Sequence, residues 1–347
     1  MRCERASRKR RGTALGAALL LPSLLLAAPA HAEDHVVLQL NWRPQAEFAG
    51  YYVAEKKGYY RRRELLVTIK PGGPRIDPAN VLAAGRADVA VDWLPAALAA
   101  REHGIALVNI AQIFERSGLE LVCRRSSGVS RPADLKGKRV GVWFAGNEYP
   151  FLAFMAKLGF ATKGAHPDVR VLRQGAGVDL LLHRKADCIS AMSYNEYWQV
   201  IDAGLSPRQL VVFRYQKEGV ATLEDGLYAL EPRLEDGVLR ERLARFLRAS
   251  FEGWRFALRH PSEAMRMVPL ARSSRRHQER MLREVGRLIG GAGPSLGYLD
   301  PVAYERNVAL LLSLKSHPVI TRRPVGAWTH QIWKDAFLRR SKGALRR

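Results

Sequence analysis

Residues 65–104, LLVTIKPGGPRIDPANVLAAGRADVAVDWLPAALAAREHG, decide the fold class of this chain. Within this stretch, Leu65–Ile69 and Asp88–Val91 are short apolar runs typical of buried strands. A helical pattern over Pro78–Ala84 separates the two runs, and a second helical pattern over Trp93–His103 follows them. Because strands that alternate with helices form largely parallel sheets, the stretch predicts an α/β fold.

The alternation extends to both sides of this stretch. The further predicted strands are 35–40, 106–113, 119–123, 139–143, 169–172, 187–191 and 210–213, and the further predicted helices are 44–57, 149–158, 178–185 and 194–203. From residue 233 onward the pattern is mostly helical, over 233–258, 262–270, 274–289 and 302–315. The sequence therefore predicts mostly parallel sheets flanked by helices, with a helical C-terminal segment.

The first 32 residues have the organisation of a secretory signal peptide. Residues 1–12 carry six basic residues against one acid, Ala14–Ala28 is apolar, and Ala30-His31-Ala32 is an A-x-A cleavage site. The apolar run is shorter than the roughly 20 residues of a membrane-spanning helix. We expect cleavage after Ala32, a periplasmic protein, and no membrane insertion after cleavage.

Chain length sets the expected number of lobes. Removal of residues 1–32 leaves 315 residues, enough for two lobes of roughly 150 residues each. We expect residues 33–123 to form the first part of lobe 1, residues 124–215 to form lobe 2, and residues 216–347 to return to lobe 1.

The chain is strongly basic, with a net charge of +23, and removal of six basic residues and one acid with the signal leaves +18. The arginines are spread along the sequence, for example at 61–63, 124–125, 275–276 and 339–340. No nucleic-acid-binding motif accompanies them, so we expect a solvated basic surface, no nucleic-acid partner and a monomer.

Two cysteines remain after cleavage, Cys123 and Cys188. One ends the last strand assigned to the first part of lobe 1 and the other begins a strand of lobe 2, so we expect two free, buried thiols. The chain has no CxxC motif and no Cys/His spacing of a metal site, so we expect neither a metal nor a cofactor.

Polar and aromatic residues gather at four predicted strand-to-helix turns, two in each lobe. Such turns lie at the carboxyl ends of parallel strands, where ligands bind, and the helix N-termini there offer free N–H groups. Four turns facing one another predict a small-molecule cleft. The candidate ligand-binding residues are Asn41, Trp42, Asp92, Trp93, Asn147, Glu148, Tyr149, Tyr194, Asn195 and Glu196.

Each of these residues also has a structural explanation. Asp92 and Asn147 are good helix N-caps that precede prolines, and Ser193 with Glu196 has the spacing of a capping box. Tryptophans such as Trp42 are common in cores. The coincidence of four such turns favours ligand binding over capping alone.

Four stretches resemble a known family: LQLNWRPQAEFAGYYVAEKKGYY (38–60), IKPGGPRIDPANVLAAGRADVAVDWLPAALAAREHG (69–104), DLKGKRVGVWFAGNEYPF (134–151) and ADCISAMSYNEYW (186–198). They are similar to the periplasmic binding proteins related to thiamine-pyrimidine synthase, akin to nitrate, sulfonate and taurine receptors. The resemblance implies a two-lobed periplasmic-binding-protein fold (type II) with two crossing strands as a hinge. It also implies an ABC importer, with permease and ATPase subunits as partners.

One branch of this family is an enzyme that builds the thiamine pyrimidine from pyridoxal phosphate and histidine. In our alignment its cofactor lysine is replaced by Asp92 and its donor histidine by Ala96, and its CCCFC motif by a segment with the single Cys188. A carboxylate cannot form the Schiff base that this chemistry requires. We therefore expect a receptor with no catalytic residues, against the alternative of a synthase-like enzyme.

The residue types at the four turns suit a flat, aromatic, nitrogen-rich solute, such as a thiamine pyrimidine precursor or a riboflavin-like molecule. Aromatic side chains would stack on the ligand, carboxylates would accept hydrogen bonds from its N–H groups, and amides would orient it. A receptor for a sulfonate or nitrate anion is the alternative. The three groups are Trp42, Tyr149 and Tyr194; Asp92, Glu148 and Glu196; and Asn41, Asn147 and Asn195.

Overall fold

Besides Met1, the computed structural model describes residues 33–270, 274–291, 293–314 and 318–337. The predicted signal peptide therefore lies outside the described residues. None of the helices in the described ranges has the length and apolar character that a bilayer crossing requires.

The described chain alternates strands and helices, as the sequence predicts. The strands are β1 (Asp34–Gln39), β2 (Leu65–Lys70), β3 (Val89–Asp92), β4 (Leu107–Gln112), β5 (Leu119–Arg124), β6 (Arg139–Val142), β7 (Arg170–Arg173), β8 (Cys188–Met192), β9 (Leu210–Arg214) and β10 (Gly226–Leu230). The helices are α1 (Ala49–Lys56), α2 (Pro78–Ala83), α3 (Leu94–Glu102), α4 (Tyr149–Leu158), α5 (Asp179–Leu182), α6 (Glu196–Asp202), α7 (Tyr215–Glu218), α8 (Gly237–Arg259), α9 (Pro261–Ala264), α10 (Arg275–Leu288), α11 (Pro301–Ser313) and α12 (Gln331–Phe337).

The strands form two five-stranded sheets, one in each lobe. The sheet of the first lobe has the order β2-β1-β3-β10-β4, and the sheet of the second lobe has the order β7-β6-β8-β5-β9. In each sheet one strand, β10 or β5, is antiparallel to both of its neighbours, and the other strands share one direction. The predicted α/β class with mostly parallel sheets is confirmed, and the antiparallel strand makes each sheet mixed.

The two antiparallel strands mark the places where the chain passes between the sheets. The chain leaves the first sheet after β4 and enters the second at β5, and it returns after β9 at β10. Glu224, which is fully buried just before β10, accepts hydrogen bonds from the backbone N–H groups of Gly118 (2.9 Å) and Leu119 (3.2 Å). The two crossing segments are thus bonded to each other at the hinge.

The prediction of two free thiols is wrong, because Cys123 and Cys188 form a disulfide. The sequence pattern assigned the strand of Cys123 to the first lobe, whereas β5 lies in the second sheet. There β5 pairs antiparallel with β8, and the register places Cys123 directly opposite Cys188. Both residues are fully buried, so the bond is an internal cross-strand link of the second lobe.

The first lobe is held together by close packing of α1 on α8. Asp236 caps α8 by accepting a hydrogen bond from the Val238 N–H (2.8 Å). A Cβ atom at Gly253 would lie 2.0 Å from the carbonyl oxygen of Gly50, so glycine is required for this approach of the two helices. The C-terminal helices pack on the same lobe, since α10 contacts α8 and α12 contacts α8 and β4.

Candidate ligand-binding site

A cavity lies between the two sheets, at the carboxyl ends of their parallel strands. Its walls include residues that directly follow β1, β3, β6 and β8. Because the parallel strands of one sheet all end at the same edge, the turns after them meet at the cavity. The fold therefore brings together two turns from each lobe.

Eight of the ten predicted site residues line this cavity, and two do not. Glu148 and Tyr149 stand at the start of α4 outside the lining, and Glu148 accepts a hydrogen bond from the Gly146 N–H (2.8 Å) in its own loop. The eight lining residues are Asn41, Trp42, Asp92, Trp93, Asn147, Tyr194, Asn195 and Glu196.

Other lining residues were not predicted from the sequence. Gln45 and Glu47 lie at the short 3-10 helix Ala46–Phe48 before α1, and Trp143 and Phe144 directly follow β6. The position of Trp143 after a parallel strand is a signal that could have found it. The remaining additions are Gly73, Pro74, Ile76, Pro78, Ala145 and Met192.

Asp92 is a buried carboxylate with one oxygen available to a ligand. It is the last residue of β3 and only 6% exposed. Its Oδ1 accepts a hydrogen bond from the Trp93 N–H (2.8 Å), and Oδ2 has no hydrogen-bond partner among the described residues. Burial raises the pKa of Asp92 to about 8. A ligand N–H group placed against Oδ2 would stabilise the ionised form.

Two further buried carboxyl groups of the first lobe are those of Glu47 and Asp225. The Tyr194 hydroxyl donates to Glu47 Oε1 (2.9 Å) across the lobes. Asp225 accepts hydrogen bonds from the Trp93 indole N–H (3.0 Å) and the Asn41 amide (3.1 Å). Burial and the neighbouring Asp225 carboxylate raise the pKa of Glu47 well above its usual range. These bonds fix the orientation of Trp93, Asn41 and Tyr194 in the walls of the cavity.

Glu196 and Asn195 form the corresponding polar wall on the second lobe. Glu196 is fully buried at the start of α6, where its carboxylate accepts from the Met192 N–H (3.0 Å) and the Asn195 amide (2.7 Å). Burial raises the pKa of Glu196 to about 7. The Asn195 amide also lies 3.5 Å from Gln45 Oε1 of the first lobe.

Aromatic rings from both lobes line the cavity. Trp42 of the first lobe and Trp143 of the second lobe meet edge to face, with ring centroids 6.0 Å apart and planes at 60°. Tyr194 is buried against Phe114, edge to face at 6.1 Å. The site therefore combines ring faces with carboxylate and amide acceptors, and no lysine or arginine of the described ranges lines it.

The two lobes approach each other closely in this structure. The Trp42–Trp143 and Tyr194–Glu47 contacts span the cleft, and a Cβ atom at Gly146 would lie 2.4 Å from the Cβ atom of Ala96. The cavity has a volume of about 40 Å³, which is room for only a few water molecules. Entry of a ring-shaped molecule therefore requires the lobes to move apart at the hinge.

The family of the chain follows from a match over most of its length. A family model described as NMT1/THI5 like matches residues 45–264. The chain belongs to the NMT1/THI5-like family. The resemblance stated from the sequence is thereby confirmed.

Three relatives of this NMT1/THI5-like protein are named for what they bind or make. It is 25% identical over 245 residues to the formylaminopyrimidine-binding protein of Halalkalibacterium halodurans, which covers 70% of this chain and 72% of the relative. It is 25% identical over 237 residues to the riboflavin-binding protein RibY of Chloroflexus aurantiacus, which covers 67% of this chain and 64% of the relative. A 4-amino-5-hydroxymethyl-2-methylpyrimidine phosphate synthase of Legionella pneumophila matches over only 110 residues, at 27% identity, 31% of this chain and 34% of the enzyme.

One solved structure with the same architecture is a periplasmic binding protein. The periplasmic aliphatic sulphonate binding protein SsuA of Escherichia coli superposes with a TM-score of 0.61 at 12% identity, over 83% of this chain and 89% of SsuA. The NMT1/THI5-like chain thus has the periplasmic-binding-protein fold, as the sequence predicts. At this identity the similarity concerns the fold and not the ligand.

Proposed function

We propose that this chain is the substrate-binding component of an ABC importer for a small, flat, aromatic nitrogen heterocycle. The ligand is a thiamine pyrimidine precursor or a riboflavin-like molecule. The protein acts as a monomer in the periplasm and delivers the ligand to the permease and ATPase subunits. The family and the fold support the role of receptor, and the chemistry of the cavity supports the class of ligand.

The free oxygen of Asp92 is the observation that carries the class of ligand. Asp92 lines a cavity whose walls also include Trp42, Trp143 and Glu196. A planar ring can stack on an indole face while its ring or exocyclic N–H groups donate to a carboxylate. Formylaminopyrimidine and riboflavin, the ligands in the names of two relatives, both combine a flat ring with such donors.

The same lining disfavours the alternative of a sulfonate or nitrate receptor. Recognition of an anion uses cationic side chains or several N–H donors. Within the described ranges the cavity presents the carboxyl groups of Glu47, Asp92 and Glu196 and neither lysine nor arginine. An anion would therefore find no cationic side chain to pair with among the described residues of this cavity.

The chain lacks the chemical groups that a synthase-like enzyme would need. Asp92 occupies the position that the resemblance gives to the cofactor lysine, and Ala96 that of the donor histidine. Cys188, the remaining cysteine in the segment of the CCCFC motif, is buried in a disulfide and has no free thiolate. These residues support binding without covalent chemistry.

Two observations support export to the periplasm. Residues 1–32 have the basic, apolar and A-x-A order of a cleaved signal. The buried Cys123–Cys188 bond is typical of an oxidising compartment, because the cytosol keeps such thiols reduced.

Calorimetric titration tests the proposed class of ligand. The protein is titrated separately with formylaminopyrimidine, riboflavin and methanesulfonate. We expect saturable one-to-one binding of at least one of the two heterocycles and no heat from the sulfonate. Binding of methanesulfonate alone would contradict the proposal.

A further inference from the structure

Besides the cavity, the two lobes meet at a second cluster of side chains, which lies between α10 and α6. Helix α10 belongs to the first lobe, since it packs on the 3-10 helix before α1 and Gln278 accepts a hydrogen bond from the Ala46 N–H (2.7 Å). Helix α6 belongs to the second lobe and packs on β8. Side chains of α10 and α6 bond directly to each other across the lobes.

His277 and Arg280 supply the first-lobe side of this cluster. The His277 ring lies with Nε2 3.0 Å from Asn195 Oδ1 and with Nδ1 3.3 Å from Asp202 Oδ2. Arg280 donates to the same Asp202 carboxylate, and its guanidinium lies 4.5 Å from the centre of the Trp198 ring. An ion pair and a cation–π contact therefore join α10 to α6, and an imidazole bond joins α10 to Asn195, which directly precedes α6.

We propose that His277 and Arg280 form a pH-sensitive clasp with α6 that holds the two lobes together, and that Asn195 connects this clasp to the ligand cavity. The clasp requires only that the lobes move relative to each other. It does not depend on the identity of the ligand.

The hydrogen bonds of Asn195 connect the clasp to the cavity. Its amide nitrogen donates to Glu196 Oε1 (2.7 Å), so its Oδ1 is left to accept, from Gln199 (2.9 Å) and from His277 Nε2–H. Asn195 also lines the cavity. A ligand that shifts Asn195 therefore changes the bond to His277, and His277 acts as a positioning residue for Asn195.

The surroundings of His277 disfavour its protonation in the closed state. With the Nε2–H donated to Asn195, Nδ1 is free to accept from Arg280 Nη2, which lies 3.4 Å away. A second proton would enter a ring that is only 6% exposed and lies beside a guanidinium. Burial lowers the pKa of His277, Asp202 opposes this shift, and Arg280 adds to it.

The sign of the pH effect follows from this lowered pKa. Well above pH 6.5, which is about the ordinary pKa of histidine, the ring is neutral in both states and the clasp is intact. Below it the open state takes up a proton that the closed state resists, so acid favours opening by at most about tenfold per pH unit. The buried carboxyls of Glu47 and Glu196 have raised pKa values and act in the opposite direction. The effect of His277 is therefore measured as a difference between variants.

The test measures the distance between the lobes in the protein without ligand. Spin labels are attached at exposed positions in the two lobes through Arg61→Cys and Lys185→Cys, and distances are recorded at pH 7.5 and 5.5. We expect the population with separated lobes to grow more on acidification in the wild type than in His277→Gln. The matched control is His183→Gln, an exposed histidine of the second lobe, which should keep the wild-type response.

A second variant keeps the proposal testable if His277→Gln does not fold. Asp202→Asn removes the negative charge that pairs with Arg280 at a half-exposed position, and it should enlarge the open population already at pH 7.5. An identical acid response in wild type and His277→Gln, or unchanged distances in Asp202→Asn, would overturn the clasp. Neither result bears on the ligand, because none is present.

Discussion

Asp92 combines a requirement of the fold with the chemistry of the site. As the last residue of β3 it is buried by the sheet, and its Oδ1 accepts a hydrogen bond from the Trp93 N–H directly before α3. Burial of a carboxylate without a cationic partner is unfavourable, which is why its pKa rises to about 8. A ligand N–H donor removes part of this cost only when it reaches Oδ2, so the residue favours binding of a nitrogen-rich molecule.

Asp92→Asn tests this role. The variant keeps the size of the side chain and removes its charge, so it should weaken ligand binding by roughly 1.5–3 kcal/mol. Calorimetric titration with the heterocycle that binds the wild type measures the change. The control is Glu148→Gln, because Glu148 lies outside the lining and bonds to its own loop. Equal losses in the two variants would show that the site is misplaced.

At the residue scale, the sequence predicts those site residues that follow parallel strands. Asp92 and Asn195 could be placed because the order of strands and helices determines which turns share an edge. Glu47 and Asp225 could not. Glu47 lies at a short 3-10 helix, and Asp225 lies in the segment that returns from the second lobe, so their positions depend on contacts distant in sequence.

At the scale of elements, the alternating pattern predicts the parallel strands but misses the strand that returns to the first sheet. Gly226–Leu230, GLYAL, has no β-branched residue and only one aromatic one, so its sequence gives little strand signal. It is a strand because β3 and β4 provide hydrogen bonds on both of its edges. The strand at 119–123 is predicted, but its place in the second sheet depends on pairing with β8 and β9, and the pairing of the cysteines depends on that place.

The disulfide should contribute a measurable part of the free energy of unfolding. It closes a loop of 65 residues between Cys123 and Cys188, for which loop-closure entropy predicts about 4 kcal/mol. Cys123→Ala/Cys188→Ala should lower the free energy of unfolding by about 2–5 kcal/mol in urea melts. In the unreduced, unfolded wild type that begins at Glu33, a thiol reagent should label no cysteine. Two labelled thiols would contradict the assigned bond.

The contact of α1 with α8 makes a second prediction at this scale. Gly253→Ala would place its Cβ atom 2.0 Å from the Gly50 carbonyl oxygen, so it should destabilise the protein by at least roughly 1–3 kcal/mol. Gly237→Ala, in the same helix, is the matched control, since the nearest atom to its Cβ lies 3.7 Å away. That variant should be neutral or gain up to about 1 kcal/mol. Similar melting temperatures for the two variants would refute the packing argument.

At the scale of the whole molecule, the chain combines a two-lobed periplasmic-binding-protein fold with a positive charge that is spread along the sequence. The net charge of +18 for residues 33–347 is not concentrated in the cavity, where the described lining has carboxyl groups and no lysine or arginine. The surface charge and the ligand site are therefore chemically separate. The sequence predicts the two lobes because each contains its own series of alternating strands and helices, but it does not predict how closely their turns approach.

Export is the prediction that belongs to the whole chain. Cleavage after Ala32 should give a periplasmic protein whose N-terminal sequence begins at Glu33. Edman sequencing of the periplasmic fraction measures this directly. A full-length chain retained in the membrane fraction would contradict a free periplasmic receptor.

The central claim is that the cleft between the lobes binds a flat nitrogen heterocycle. Native mass spectrometry of gently purified protein tests it most directly. The spectrum reports the mass of whatever molecule the protein retains, and denaturation releases that molecule for identification. We predict one molecule per chain of an aminopyrimidine or a flavin, with less retained by Asp92→Asn. A retained sulfonate or other small anion, held equally by wild type and Asp92→Asn, would contradict the account.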